Sequence, residues 1–153
     1  MKTIGKHGLS GYVEFALAVL MLVAAGLMIS LPWTIPAATG QKPGMPEMWF
    51  EKYLVVLLVS GVLAELILWQ ARGILRNINR GRPFGRDMCR RFRIIGIECL
   101  SLALFYFVAV FVVTRFFMVA VFVTFSVVGL MSFVFAELFR QAGEYKKEND
   151  MTI

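Results

Sequence analysis

Between Arg72 and Arg93 the chain reads RGILRNINRGRPFGRDMCRRFR, eight arginines against the single acid Asp87. Apolar runs of bilayer-crossing length flank this block, about 53–71 before it and 94–114 after it. A soluble domain could use such a block on nucleic acid. Pinned between two spans, it reads instead as a loop held on the cytoplasmic side, where Lys and Arg are retained. An arginine row without a base-reading motif gives no reason to expect direct nucleic-acid binding.

Composition agrees with that reading. The chain has 153 residues, 59% hydrophobic and 17% charged, with a mean hydropathy of +0.73. Ordinary soluble domains are roughly 45–50% apolar and about 25% charged. The expected class is an all-α membrane protein with four transmembrane helices in an antiparallel bundle, both termini cytoplasmic, in a single domain. The spans fall at about 12–31, 53–71, 94–114 and 116–140, with a cytoplasmic arginine loop over 72–93 and a cytoplasmic tail over 141–153. With the loop inside, the inner side carries two Lys in the N-terminal tail, eight Arg in the loop and three Lys or Arg towards the C-terminus. Only Lys42, Lys52 and Arg115 fall outside, so the charge bias fixes the orientation and points to the inner membrane.

Taken in order, Met1–Gly11 is a polar tail holding the lone histidine, His7; its three evenly spaced glycines lack the strand and the Lys-Ser/Thr of a phosphate loop. The first span has no charge between Glu14 and Lys42 and is longer than a signal-peptide core, so it is expected to be retained. Pro32 and Pro36 are expected to end it, with Trp33 at the interface and a proline-stiffened connector over Pro32–Lys52. In span two, Ser60, Gly61 and Ala64 suit close helix approach. Arg72, Arg76 and Arg80 recur at i+4, which extends this helix past the apolar run until Gly81 and Pro83 stop it. Spans three and four are separated clearly only by Arg115 and should form a tight hairpin, with Ser126, Gly129 and Ser132 as a packing face. Helix four should run on past the membrane.

Each span carries one glutamate towards its cytoplasmic end: Glu14, Glu65, Glu98 and Glu137. Acids within a bilayer are costly and normally pair. The plain expectation is an acid ring clamping the loop through Arg72, Arg90 and Arg93. The sharper one is a cation or proton site lined by Glu65 and Glu98. Catalytic chemistry finds no support: there is no HExxH, no CxxC and no second histidine to activate a nucleophile. Cys89 and Cys99 lack metal-ligand spacing, and on the reducing side they are expected to be free. No catalytic residue, metal or cofactor is expected.

Two stretches carry a resemblance. NINRGRPFGRDMCRRFRIIG and FAELFRQAGEYKKENDMTI resemble the signature loop and tail of a bacterial membrane family, domain of unknown function 2975. The corresponding positions are Gly81, Pro83, Phe84, Arg93 and Gly96, then Glu137, Phe139, Arg140, Glu148, Asp150 and Thr152. Gly85 stands where relatives often have a capping threonine, and Met151 replaces a usual leucine. The resemblance implies no catalytic residue. It implies a membrane partner that holds or releases a small cytoplasmic helix-turn-helix transcription regulator.

The leading expectation is therefore an interaction protein. Its partner face comprises Arg72, Arg76, Arg80, Arg82, Pro83, Phe84 and Arg93, together with Glu148, Asp150 and Thr152 of the tail. Anionic headgroups of the bilayer are a second expected partner, and self-association a third. The alternatives are a small oligomeric transporter or channel using the intramembrane glutamates, and a purely structural or lipid-binding membrane protein.

Overall fold

Four long apolar runs leave the backbone one way to satisfy its own N–H and C=O groups in hydrocarbon, which is to coil into helices. The computed structural model shows four helices and describes residues 9–39, 48–80, 86–113 and 116–151. They are α1 (Leu9–Thr39), α2 (Met48–Asn79), α3 (Arg86–Val113) and α4 (Phe116–Met151). All four are long and apolar enough to cross a membrane.

The helices exceed the expected spans. α1 does not stop at Pro32 but runs through Pro32 and Pro36 to Thr39. Each proline removes one N–H donor and frees the carbonyl four residues before it, a loss found more often in spanning helices than in soluble ones. Around Pro32 the Ser30 hydroxyl donates to the Leu27 carbonyl at 2.8 Å, and the Thr34 hydroxyl to the Ser30 carbonyl at 3.1 Å. The connector is correspondingly shorter, since α2 already begins at Met48. α2 does pass its apolar run as expected. Its last turn is closed by the Arg80 N–H donating to the Arg76 carbonyl at 3.1 Å. α4 has 36 residues, about 54 Å at ~1.5 Å each, well beyond a ~30 Å hydrocarbon core. The turn at Arg115, the segment 81–85 and the first loop's Lys42, Pro43 and Pro46 lie outside the described residues.

Among the described residues, contacts join α1 to α2, α2 to α3 and α3 to α4, with α3–α4 the most extensive. The helices thus form an open row rather than a closed ring. α3 holds the core: Cys99, Leu102, Ala103 and Tyr106 are buried on it, between Val56 and Ile74 of α2 and Met118 and Ala136 of α4. The small-residue face of α4 is used as the sequence implies. A Cβ on Gly129 would lie 3.2 Å from the Gly96 carbonyl oxygen and 3.0 Å from Leu100 Cγ. Ser132 is buried beside it. Small residues here let two backbones approach, which gives spanning helices their packing contact.

α2 sits between α1 and α3 and presents a different stripe to each. With the Ser60 proton given to the Val56 carbonyl, the Tyr106 hydroxyl of α3 donates to Ser60 at 3.0 Å, and Gln70 accepts from Arg91 of α3 at 3.0 Å. Gly61 meets Met28 of α1, and Arg76 meets Glu14 of α1. Positions 61, 65, 72 and 76 are separated by steps of four and seven residues, so they share the α1 side. Between Glu14 and Met28 the partly covered residues of α1 are Glu14, Leu17, Ala18, Met21, Ala24, Ala25 and Met28, the same periodicity facing back.

Candidate functional site

Polar chemistry gathers where the arginines are, around the first turns of α3. Two clefts open there. The first, about 170 Å³, lies between α2 and α3 and is lined by Trp69, Arg72, Gly73, Arg76, Arg80 and Arg91. The second, about 550 Å³, lies between α3 and α4 and is lined by Arg86, Arg90, Arg93, Arg140 and Lys147 with Phe139 and Glu144. The i+4 row on α2 accounts for the first cleft, and Arg86, Arg90 and Arg93 at i, i+4 and i+7 on one face of α3 account for the second. Arg91 points the other way, which is why consecutive arginines Arg90 and Arg91 serve different clefts.

Within the first cleft Arg76 is half-exposed and pairs through Nε with Glu14 Oε1 at 3.4 Å; Asn79 donates to Glu14 Oε2 at 2.8 Å. Arg91 crosses from α3 to α2, donating through Nη1 to Gln70 Oε1. Its guanidinium fills the space in which a Gly73 side chain would stand. Arg80 is exposed. In the second cleft Arg140 donates through Nε and Nη2 to Glu137 at 3.0 and 2.5 Å, and through Nη1 to Glu144 at 2.7 Å. Gln141 also donates to Glu137 at 3.2 Å.

The acids do not assemble as expected. Glu14 finds Arg76 and Asn79, and Glu137 finds Arg140 and Gln141 of its own helix. Glu65 and Glu98 make no ion pair among the described residues. One buried oxygen of each, Glu65 Oε1 and Glu98 Oε2, lacks a hydrogen-bond partner, as does the buried Nε of Arg72. Arg72 acts on Glu14 and Arg93 on Glu137 through charge alone, and among the described residues no ion-paired ring with Arg72, Arg90 and Arg93 closes. The reason for Glu65 and Arg72 lies in the seam they occupy: between Leu17 and Met28 α1 offers only leucine, alanine and methionine there, so Glu65 meets no side-chain group able to pair and Arg72 feels only the charge of Glu14. Glu65 lies on the α1 side of α2, whereas the α2 residues that bond α3 are Ser60 and Gln70, roughly half a turn away at ~100° per residue. Glu98 is on α3. The Glu65 carboxyl is thus turned towards α1, and no hydrogen bond or ion pair joins it to Glu98 among the described residues.

Among the expected partner-face residues, the structure gathers Arg72, Arg76 and Arg80, and places Arg93 in the neighbouring cleft. Glu148 is exposed on the α4 extension. Arg82, Pro83, Phe84 and Thr152, and the Asp150 side chain, lie outside the described residues. The sequence reading missed Arg91, Gln70, Asn79 and Lys147. The signal was present for Arg91, since it falls seven residues before Glu98 on one α3 face, but a run of arginines hides which of them turns inward. Cys89 and Cys99 are free thiols, Cys99 fully buried. Among the described residues no group of His, Cys, Asp and Glu gathers into a metal-binding set.

Four spanning-length helices with a basic end define a multi-pass α-helical membrane protein. Residues 30–153 match the family described as a protein of unknown function (DUF2975), and the chain belongs to that family. No curated protein and no solved structure matches it.

Proposed function

We propose that this chain is a non-catalytic inner-membrane docking protein that holds a small cytoplasmic helix-turn-helix regulator against the membrane. The observation that carries the reading is the convergence of Arg72, Arg76, Arg80 and Arg91 on one cleft. Glu14 is the acid paired there. A cleft so charged receives an acidic surface of a partner through steering and charge-assisted hydrogen bonds. The α4 extension, exposed from Glu144 to Asn149, supplies a second contact on the same side.

This reading takes the helices as alternating in direction, with both termini and the arginine segment in the cytoplasm. Supporting it, Gly61 meets Met28 while Arg76 meets Glu14, and Ser60 meets Tyr106 while Gln70 meets Arg91. In both pairs the residue number rises on one helix as it falls on the other. The excess of Lys and Arg at that end agrees.

The experiment is purification in mild detergent from the native host, with mass spectrometry of accompanying soluble proteins. A helix-turn-helix protein is expected with the full chain and absent from Arg80→Glu and from a chain ending at Gly143, membrane level unchanged. Arg76 is a poorer choice because it also holds Glu14. Full recovery of the regulator with both variants would sink the proposal. A second reading, ion or proton passage, has one observation in its favour, the unpartnered buried oxygens of Glu65 and Glu98. It requires flux in proteoliposomes that Glu98→Gln abolishes.

A further inference from the structure

The arginines of the α3–α4 cleft play no part in the docking just proposed; the two share only Glu144 and Lys147 of the α4 extension. Arg140 is bracketed by Glu137 and Glu144. Arg86, Arg90, Arg93 and Lys147 make no ion pair among the described residues. Glu137 also acts on Arg93 through its charge, but with Arg140 set against Glu137 and Glu144 the cations around this space of about 550 Å³ remain in excess and repel one another, so an anion from outside stabilises the arrangement. Guanidinium forks match the oxygens of a phosphate, and a water-poor position at the membrane surface strengthens the match.

What lies beyond the charges narrows the ligand. The face of α3 that carries Arg86, Arg90 and Arg93 continues along the helix as Ile97, Leu104 and Phe111, in steps of three, four and seven. These are outward-facing, with Leu104 64% and Phe111 73% exposed. One stripe is thus cationic for its first two turns and apolar thereafter. A soluble anion would use only the first part. An amphiphile with a phosphate at one end and an acyl chain at the other uses both.

We propose that the α3–α4 cleft binds the phosphate of an anionic phospholipid headgroup, with Arg90 and Arg93 as principal ligands and an acyl chain along Ile97 and Leu104. The test is native mass spectrometry of the full chain in neutral maltoside, titrated with phosphatidylglycerol or with phosphatidylcholine of equal chain length. Phosphatidylglycerol is expected to be retained preferentially. Arg90→Gln with Arg93→Gln should weaken its retention by about tenfold or more, leaving phosphatidylcholine unchanged. Arg72→Gln with Arg80→Gln removes as much charge from the other cleft and should leave retention intact. Should the first pair fail to fold, judged by its melting temperature, Arg86→Gln with Lys147→Gln carries the same expectation.

Equal retention of the two lipids overturns the proposal, and so does equal weakening by the two pairs of variants, which would report net charge alone. Stabilisation by inorganic phosphate without any response to phosphatidylglycerol also overturns it, in favour of a free anion. None of these results bears on the regulator, whose docking is read from co-purification at Arg80 and the tail.

Discussion

The guanidinium of Arg91 lies across Gly73, occupying the volume a side chain there would need, and donates to Gln70 one turn away at 3.0 Å. A cation of α3 is thereby seated on the backbone of α2 at a position only glycine leaves open. Gly73 in the middle of a helix costs about 1 kcal/mol against alanine in propensity, so its presence is explained by what it accommodates. Gly73→Ala should displace Arg91 and lose a charged hydrogen bond of about 1.5–3 kcal/mol, partly offset by the propensity gain. Chemical unfolding in detergent should show a net loss near 1 kcal/mol. In an Arg91→Ala background the same change should become neutral or stabilising; equal effects in both backgrounds would refute the contact.

Two other glycines make opposite predictions. Gly129→Leu must push Leu100 and the Gly96 backbone aside, because contact is already tight at the first carbon. It should destabilise the α3–α4 pair by about 1–3 kcal/mol. Gly26 has open space around its missing side chain. Gly26→Ala should be neutral or raise stability by up to ~1 kcal/mol, and a melt of both variants side by side checks the contrast.

Ser60 and Tyr106 couple α2 to α3 at their apolar level, where Tyr106 is buried. Interhelical hydrogen bonds of this kind average about 0.6 kcal/mol and reach ~1.7. Tyr106→Phe should cost an amount in that range. Ser60→Ala, which also removes the bond from the Ser60 hydroxyl to the Val56 carbonyl, should not add to it in the double variant.

The ion pair of Glu14 with Arg76 tethers α1 to α2 but is half in the open, with Arg76 50% exposed. Glu14→Gln should therefore cost less than ~1 kcal/mol, and less still in high salt. Exchanging the two residues should recover most of the loss, as read from the melting temperature.

Glu98 gives the sharpest division between a structural and a working acid. A buried oxygen without a partner is destabilising, so Glu98→Leu should raise stability by about 1–3 kcal/mol if the protein asks nothing more of that carboxyl. A fall in melting temperature would mean that the oxygen has a partner in the membrane, and would favour ion passage.

Much of this architecture is readable from residue order. Long uncharged runs dictate helices, the Arg72–Arg76–Arg80 period carries α2 beyond its apolar part, and Gly129 with Ser132 marks the α4 face that meets α3. The errors have local physical causes. Pro32 lacks an N–H and ends most helices in water, but α1 runs through it to Thr39. The acid ring does not form, because depth along a helix says nothing of direction around it. Glu65 and Glu98 each stand towards the arginine-bearing ends of their helices, and the stripe assignments made by Gly61, Arg76, Ser60 and Gln70 turn Glu65 towards α1. Arg91 is hidden for the same reason, one arginine among several whose bearing the packing decides.

The row of helices also sets how the molecule comes apart. Among the described residues α1 touches α2 alone, through small and flexible apolar side chains and the bonds of Glu14 to Arg76 and Asn79, so its removal opens no seam between the others. A force applied at the N-terminus should strip α1 first and α2 next, leaving the glycine-laced α3–α4 pair to rupture last and at the highest load. Synthesis runs through the same series in the opposite order of strength: the weakest seam forms first and waits for α3 and α4 to complete the row.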